Sequence, residues 1–492
     1  MTKWITKTDY VAGIRCPTWL WLKKYKPELI PDKKDESSQF NIDQGVYIGT
    51  LSTKLFPQGQ LVQGDLFEGI NNTTKLLEKR IPLFEAGFLF ENLYVRTDIL
   101  LPVGEDEWNI IEVKSSTNLK IEHIDDISFQ KYVLEKLGLK IRNCFIMLLD
   151  TAYIRNKALD LEQLFKKEDV NIQVSLHLES IEDNLRTLQE TLVKENEPGF
   201  CVCEFCFDKK CNFSEYCLKH ISENSIFDIN RYPKKKAIAC YNNGIKHICD
   251  CNYDDFKGFQ KIQVKATKEN KVQIDKDKIK ETLSTLEYPL YYFDFEGYTN
   301  ALPLFEGTKV YQKVPFQYSL HIQEAPNSKV IHKEFLAEEG KDPRLDIITS
   351  MLKDLGNKGS IIVYNKIYES SVIRILQGAY PEHSKELENF ISRLWDLIDI
   401  FSKGYYYNPK QCGSNSIKCI LPLFSDLSYK NLDIGKGDIA SIKFYAAGFG
   451  DFAGNKLSQE EIKKIRQNLL IYCKQDTLAM VLILEKLEGI VK

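Results

Sequence analysis

Alternating apolar and polar positions in the second half of the chain predict a group of β-strands followed by helices. Three segments have the aromatic and apolar composition of strands and are separated by turn-rich stretches, at residues 290–298, 314–323 and 329–338. Helical spacing follows at residues 342–356, a further strand at 360–365, and a long helical pattern over 460–490. This order of elements predicts an α/β domain with a mixed sheet.

The rest of the chain divides into two parts by composition. Residues 1–220 mix helical patterns with one hairpin-like region and end in a group of cysteines. Residues 221–285 are rich in Lys, Asp and Asn, which is typical of a linker or an accessory segment with an exposed helix. We therefore expect a first domain over 1–220, a linker or accessory segment over 221–285, and a second domain over 286–492.

Charge and hydropathy narrow the class of protein. A formal net charge of −3 over 492 residues gives no overall attraction to nucleic acid, so contact with a polyanion must use local basic patches such as residues 234–236. The amino terminus lacks the apolar core of a signal peptide, and no apolar run approaches the ~18 residues of a membrane span. We expect a cytoplasmic protein. In that reducing compartment the clustering of five of the thirteen cysteines within residues 201–217 favours a metal over disulfides.

Two carboxylates stand one residue apart in the most aromatic of the predicted strands. Asp294 and Glu296 are at positions i and i+2, which point to the same face of a strand. Like charges on one buried face are costly unless a cation neutralises them, so the pair predicts half of a divalent metal site. The other half is expected from Asp476, with Tyr472 one turn earlier on the same helix, and from Glu369.

This set of residues resembles the DnaQ-like exonucleases, which have an RNase H-like fold. The resemblance implies two Mg²⁺ or Mn²⁺ ions about 4 Å apart, which stabilise the attacking and leaving oxygens of a phosphoryl displacement. It implies that their ligands are Asp294, Glu296, Glu369 and Asp476. Tyr472 would orient the attacking water. Glu369 stands where the family usually has Asp, so Asp396 and Asp399 are alternative ligands, whereas Cys473 is interpreted as a small residue packed in the last helix.

A β-hairpin is predicted in the first half of the chain, with a turn rich in Gly and acidic residues. One strand carries Asp98 and the other carries Glu112 and Lys114, which again share one face. This pattern resembles the core of the PD-(D/E)xK nucleases. The resemblance implies that Asp98 and Glu112 bind metal and that Lys114 orients or deprotonates the attacking water. Glu85 would supply a further, upstream acid.

The helical pattern that follows the hairpin, at residues 126–139, is similar to the Gln-containing helix of RecB-like nucleases. The resemblance implies that Gln130 and Tyr132 contact DNA or order the site. That family has the spacing Q-x-x-x-Y, whereas this chain has Q-x-Y.

The cysteine-rich segment predicts a centre with four thiolate ligands. Such a set suits zinc or an iron–sulfur cluster, and spacing alone leaves both open. The chain resembles RecB-like nucleases of the AddB and CRISPR-adaptation type, which implies a [4Fe-4S] cluster with one cysteine before the nuclease core and three after it. The implied ligands are Cys16, Cys206, Cys211 and Cys217. Cys203 or Cys201 could replace Cys206, and the cluster would tie the ends of the domain together.

The whole chain resembles a family of bacterial proteins that fuse an iron–sulfur RecB-like nuclease to a DnaQ-like exonuclease domain. The match is carried by FQKYVLEKLGL, GSNSIKCILPLFSDLSYKNL and YCKQDTLAMV. It implies a two-site, metal-dependent exonuclease that hydrolyses DNA, at single strands or ends, in repair or defence, with RNA left open as a substrate. A nucleic-acid-binding or scaffold protein with one or both centres inactive is the alternative, and an iron–sulfur redox sensor is the third. GSNSIKCILP contains no obvious catalytic group and is expected to be a structural or substrate-channel loop.

Overall fold

The computed structural model of the protein describes residues 4–31, 35–199, 202–208 and 210–492. The chain forms two compact units. Unit 1 comprises the described residues of Met1–Lys219 together with Ala301–Tyr311, and unit 2 comprises His220–Asn300 and Gln312–Lys492. The segment expected to be a linker or accessory segment, residues 221–285, is therefore part of unit 2.

Unit 1 contains seven strands and eight helices among its described residues. The strands are β1 (Ile5–Thr6), β2 (Gln60–Leu61), β3 (Leu83–Phe90), β4 (Leu93–Val103), β5 (Glu107–Val113), β6 (Lys140–Leu149) and β7 (Phe165–Asp169). The helices are α1 (Lys7–Arg15), α2 (Pro17–Tyr25), α3 (Glu36–Thr53), α4 (Leu66–Leu77), α5 (Ile121–Lys136), α6 (Leu161–Leu164), α7 (Asn171–Leu192) and α8 (Ser214–Leu218).

The strands of unit 1 form one mixed sheet in the order β2–β3–β4–β5–β6–β7, and β1 pairs with β4. β4 and β5 are the two strands of the expected hairpin, with Ile99 opposite Ile111, and β5 runs parallel to β6. Apolar clusters cover both faces of the sheet, so that Ile110 packs in one and Ile111 in the other, and both are fully buried. Burial on both faces explains why the adjacent residues Ile110 and Ile111 of β5 are both apolar.

Unit 2 contains seven strands and ten helices. The strands are β8 (Gln273–Ile274), β9 (Leu290–Thr299), β10 (Lys313–Gln323), β11 (Ile331–Leu336), β12 (Ile361–Val363), β13 (Leu394–Asp396) and β14 (Tyr406–Tyr407). The helices are α9 (Lys234–Asn242), α10 (Gly258–Glu269), α11 (Lys276–Leu283), α12 (Arg344–Asp354), α13 (Lys366–Ala379), α14 (Ser384–Arg393), α15 (Ile398–Ser402), α16 (Ile417–Ile420), α17 (Gly437–Phe449) and α18 (Gln459–Val491).

The main sheet of unit 2 has the order β11–β10–β9–β12–β13. β10 is antiparallel to its neighbours β9 and β11, whereas β12 is parallel to β9 and to β13. A separate pair, β14 and β8, is antiparallel. The prediction of an α/β domain with a mixed sheet is confirmed, with three strands, a helix, a further strand and later helices in the expected order.

The long helix α18 lies across one face of this sheet. It begins after Ser458, whose hydroxyl accepts a hydrogen bond from the Glu461 amide, as in a capping box. Two polar contacts hold it against β10. The Gln317 side-chain amide donates to the Leu469 carbonyl at 2.9 Å, and the Ser319 and Thr477 hydroxyls are 2.7 Å apart. α18 therefore covers the face of the sheet to which Ser319 and its cross-strand neighbour on β9 belong.

Candidate metal centres

Asp294 and Glu296 lie on β9, on the face that α18 covers. Their strand neighbours on β10 are Ser319 and Gln317, the two residues that contact α18. The carboxylates also lie close to Cys473 of that helix, because one ligand atom from each of the three residues is within 4.8 Å of the others. The i, i+2 spacing has thus brought two acids to one point between sheet and helix.

Asp476 and Tyr472 project from α18 into the same region. Asp476 Oδ1 accepts a hydrogen bond of 2.6 Å from the Tyr429 hydroxyl. The Tyr472 hydroxyl lies 3.4 Å from Lys418 Nζ, which also donates to the Gly435 carbonyl at 2.7 Å. Lys418 belongs to the segment GSNSIKCILP, so a segment in which no catalytic group was evident contributes a cation to this centre.

Glu369 is in the first turn of α13 and is 1% exposed. Its Oε2 has no hydrogen-bond partner within the part of the chain that the structure describes. The start of α13 is oriented by Asp396, which accepts hydrogen bonds from the Asn365 and Lys366 amides at 3.0 and 2.7 Å. Asp396 is therefore engaged as a backbone acceptor, and Asp399 pairs with Lys403 at 2.8 Å.

A cleft of about 390 Å³ collects these side chains. Its lining includes all five residues predicted for this centre, Asp294, Glu296, Glu369, Tyr472 and Asp476. It also includes Lys313 and Lys418, which were not predicted. Lys313 Nζ lies 3.6 Å from the centroid of the Tyr368 ring, at the Glu369 side of the cleft. Asp438 also lines the cleft, which therefore combines five carboxylates, four of them predicted for this centre, with two lysines.

Burial makes this set of carboxylates hold protons tightly. Burial, with the neighbouring Asp476, raises the pKa of Asp294 and of Glu296 well above their usual values. Burial likewise raises the pKa of Glu369 to about 8 and that of Asp476 to about 6. Such shifts are expected where several acids share a buried site, and a cation reverses them.

The donor set fits Mg²⁺ or Mn²⁺. Both ions prefer carboxylate oxygens, and Glu369 offers a buried oxygen with no partner among the described residues. Cys473 is a poor ligand for such hard ions, and burial raises the pKa of its thiol well above the usual value, so the thiol stays neutral. Its Sγ lies 3.8 Å from the Asp294 carbonyl, to which it donates.

A second group of acids surrounds Glu112 at the end of β5 in unit 1. Glu112 is 1% exposed, and both of its oxygens are occupied. Lys114 Nζ lies 2.6 Å from Oε1, and the Gln130 side-chain amide donates to Oε2 at 2.7 Å. Asp98 accepts from the Val113 amide at 2.8 Å, which ties β4 to β5 beside Glu112. The predicted residues Asp98, Glu112, Lys114 and Gln130 are thus brought together.

Two members of this group were not predicted. Lys7, at the start of α1, places Nζ 2.9 Å from Glu112 Oε1 and 3.5 Å from Asp98 Oδ1. Asp126, on α5, accepts from Lys114 and from the Gln130 amide at 2.6 and 2.9 Å. Asp126 is four residues before Gln130, so helical spacing was a signal for it. Lys7 is 105 residues from Glu112, and nothing local indicated it.

The two lysines hold this centre in an ionised state. Burial and Asp98 push the pKa of Glu112 upward, but Lys114 and Lys7 outweigh them, and the pKa is lower than usual. Burial lowers the pKa of Lys114, but Glu112 and Asp126 raise it more, so its ammonium stays protonated. Unlike the cleft of unit 2, the acids around Glu112 already have cationic partners.

Two predicted residues lie apart from this network. The Glu85 side chain pairs with Arg96 at 2.6 Å and is partly exposed. Glu85 has a positive φ of 57°. In the pairing of β3 with β4, Phe84 lies opposite Ile99 and Ala86 opposite Thr97, so Glu85 is skipped. The Tyr132 hydroxyl donates to Glu182 at 3.2 Å. Their hydrogen-bond and ion-pair partners are Arg96 and Glu182 and not Glu112, and the Tyr132 ring packs against the apolar core.

The described cysteines of the predicted thiolate centre converge on one place in unit 1. The Cys203 and Cys206 sulfurs are 3.5 Å apart. Hydrogen bonding to Cys203 raises the pKa of both Cys16 and Cys206, and Cys217 bonds to Cys206. Cys211 is buried in the same apolar cluster, which also contains Phe205 and Phe213. Cys201 lies outside the described residues.

These five thiols fit a metal centre, because half-buried and buried cysteines from two distant parts of the chain meet in an apolar shell. Residues near these thiols hold the segment around Phe205 and Asp208 against the end of α1. Arg15 pairs with Asp208 at 2.8 Å and lies 4.4 Å from the Phe205 ring centroid. Cys203 contacts Cys206 and is therefore as well positioned as the four ligands implied by the sequence, Cys16, Cys206, Cys211 and Cys217. The structure thus offers five thiols for a centre expected to have four thiolate ligands.

Sequence comparison finds similar proteins whose functions are not stated. The family described as a domain of unknown function, DUF2779, matches residues 291–416. An uncharacterised homologue of MG366 from Mycoplasma pneumoniae is 25% identical over 42% of this chain and 33% of its own length. The uncharacterised MG366 of Mycoplasma genitalium is 23% identical over 58% of this chain and 43% of its own. The chain thus spans about a third to two-fifths of the length of these relatives.

Among solved structures, an alkaline exonuclease from Laribacter hongkongensis is 11% identical, with a TM-score of 0.23, over 39% of this chain and 90% of that one. The low TM-score means that this likeness supports no conclusion about fold or activity. No described helix is both long and apolar enough to cross a membrane.

Proposed function

We propose that the protein is a two-centre, metal-dependent nuclease that hydrolyses phosphodiester bonds of DNA. The observation that carries the proposal is the convergence of Asp294, Glu296, Glu369 and Asp476 in one cleft of unit 2. Four buried carboxylates need cations before they can all ionise, and their oxygens are the ligands that Mg²⁺ and Mn²⁺ prefer. When bound, these ions activate a water molecule and stabilise the attacking and leaving oxygens at phosphorus.

The other residues of the cleft support phosphodiester chemistry. Lys418 holds the Tyr472 hydroxyl, which faces the cleft and can orient the attacking water. Lys418 and Lys313 supply positive charge for a phosphate that must approach an acidic site. The five-stranded mixed sheet beneath these residues supports a DnaQ-like exonuclease domain of RNase H-like fold.

Unit 1 supports a second centre of the PD-(D/E)xK type. Asp98, Glu112 and Asp126 are the candidate metal ligands, and Gln130 orders two of them by donating to both. Gln130 Oε1 is itself buried without a donor among the described residues, so the centre keeps one unused acceptor. Lys114 lies where it can orient a water molecule attacking a phosphate bound beside Glu112.

A [4Fe-4S] cluster is the proposed occupant of the cysteine centre. Cys16, Cys206, Cys211 and Cys217 are the preferred ligands, with Cys203 able to replace one of them. A cluster there would join the amino-terminal helices to the end of unit 1, and its role is structural.

The proposal is tested with full-length protein purified without oxygen. Labelled single-stranded DNA, double-stranded DNA and RNA are incubated with Mg²⁺ or Mn²⁺ and wild type, Lys114→Ala, Asp294→Asn or the double variant. Each single variant should lose the activity of its own unit by at least ~100-fold, because each removes a group that contacts the metal or water. Glu338→Gln, which changes an exposed acid in an ion pair with Lys341, should cut at the wild-type rate.

The double variant decides whether two centres exist. Loss of all cleavage in the double variant, with residual cleavage in each single variant, supports two active centres. If wild type binds labelled DNA but cuts no substrate with either metal, the nuclease proposal fails and a nucleic-acid-binding protein remains.

A further inference from the structure

The acids of unit 1 and unit 2 differ in how their charge is balanced. In unit 2, five acids line a cleft with Lys313 and Lys418, and Glu369 retains an oxygen without a partner in the described chain. In unit 1, three acids share two lysines that contact them directly, and both oxygens of Glu112 are occupied. The unit 1 acids therefore have less need of a metal ion.

Lys7 is the residue that makes this difference. Its Nζ lies 2.9 and 3.2 Å from the two oxygens of Glu112. It is also 3.5 Å from Asp98 Oδ1 and 3.9 Å from Asp126 Oδ1. One ammonium group thus stands among all three candidate metal ligands, at the point where their oxygens converge. A cation bound to all three acids would occupy the same space.

Lys114 does not have this position. It contacts one oxygen of Glu112, Oε1, and one of Asp126, Oδ2, both at 2.6 Å. Its partners can remain in place when a metal ion binds the other oxygens. Lys7, by contrast, uses both oxygens of Glu112, so metal binding to Glu112 requires the Lys7 ammonium to leave.

We propose that Lys7 is an internal counter-ion that competes with a divalent cation for Glu112. The unit 1 centre then takes up metal only at higher metal concentrations than the unit 2 centre. This inference rests on the proposal that unit 1 binds metal for nuclease chemistry. It assigns to Lys7 a positioning role, since its ammonium contacts both oxygens of Glu112 and lies within 4 Å of Asp98 and Asp126.

The test measures Mn²⁺ binding to the full-length protein, from the free-ion signal in electron paramagnetic resonance. An Asp294→Asn, Glu296→Gln background removes two of the four proposed unit 2 ligands and so weakens Mn²⁺ binding there, and dependence on Glu112 identifies the binding that remains in unit 1. Lys7→Met should tighten Mn²⁺ binding at least ~10-fold, because it removes a competing charge within 4 Å of every ligand. Lys7→Arg, which keeps the charge, should not tighten it.

Two further variants control the measurement. Lys23→Met removes another lysine of unit 1 that is paired with a buried acid, Asp9, and should leave Mn²⁺ affinity unchanged. Adding Glu112→Gln to Lys7→Met should abolish the tightened binding, which assigns the ion to unit 1.

The outcomes separate this inference from the proposed function. If Lys7→Met weakens Mn²⁺ binding or leaves it unchanged, while Glu112→Gln abolishes it, Lys7 is not a competitor but the metal centre stands. If no variant shows binding that depends on Glu112, both the role of Lys7 and the metal-dependent centre of unit 1 are refuted. Circular dichroism of Lys7→Met checks that unit 1 remains folded.

Discussion

Glu369→Gln removes one charge from the unit 2 cleft while keeping the shape of the side chain. Glu369 is 1% exposed, and its Oε2 has no partner in the described residues. Burial, with a smaller contribution from Asp396, raises its pKa to about 8 from a usual value near 4.5. A glutamine cannot ionise, so the variant isolates the cost of the buried charge.

The sign of this cost follows from proton linkage. The folded protein binds the Glu369 proton more tightly than the unfolded chain does, so the ionised group destabilises the fold as the pH rises above about 4.5. At pH 7 the solution is about 2.5 pH units above the pKa of Glu369 in the unfolded chain. The free energy of unfolding is therefore lower by roughly 3 kcal/mol than it would be without this group. At pH 5.5 the same reasoning gives roughly 1 kcal/mol. The penalty therefore shrinks as the solution becomes more acidic.

We expect Glu369→Gln to stabilise the metal-free protein by about 3 kcal/mol at pH 7 and about 1 kcal/mol at pH 5.5. The measurement is guanidinium unfolding of unit 2 in chelator, followed by circular dichroism at both pH values. Mn²⁺ at 100 times its Kd should narrow this difference at pH 7, because wild type then gains about 2.7 kcal/mol and the variant gains less. The control Glu338→Gln should change neither measurement.

The change in the stability difference between wild type and variant on adding Mn²⁺ is the decisive feature. If Glu369→Gln is less stable than wild type in chelator at both pH values, the inference that the buried Glu369 carboxylate destabilises the fold is refuted. A variant with the wild-type gain from Mn²⁺ would show that Glu369 is not a ligand, even if the first result holds.

Three further predictions concern other parts of the molecule. Cys211→Ser should remove iron and visible colour from protein purified without oxygen, whereas the exposed Cys249→Ser should retain both; stoichiometric zinc in colourless wild type would contradict the cluster. Burial lowers the pKa of His321 to about 4. His321 should therefore contribute a loss of about 3 kcal/mol to unit 2 between pH 6.5 and 4, measured as the change in the stability difference between wild type and His321→Gln in unfolding at each pH. Gln130→Leu should destabilise unit 1 by about 2 kcal/mol in thermal unfolding, since Glu112 and Asp126 each lose a donor.

Local spacing was sufficient to predict the parts of the sites that lie within one element. Asp294 and Glu296 share a face because side chains in a strand repeat every two residues. Tyr472 and Asp476 are one helical turn apart, and both line the same cleft. The order of strands and helices in unit 2 was also predictable, because apolar periodicity reports which faces are buried.

Contacts between distant elements could not be predicted in this way. Lys7 meets Glu112 across 105 residues, and Lys418 meets Tyr472 across 54. Their own neighbourhoods carry no pattern that distinguishes them from surface lysines. Glu85 was expected as an upstream acid from a resemblance alone, and the structure places it beside Arg96.

The sequence by itself therefore determined which acids could act together, since i, i+2 and i, i+4 spacings are set by backbone geometry. The tertiary structure decided which cations face them. It brought Lys7 between the oxygens of Glu112 and left Glu369 buried without a partner among the described residues. Charge balance is a property of packing, because the energy of a buried carboxylate depends on every group within a few ångströms, whatever its place in the chain.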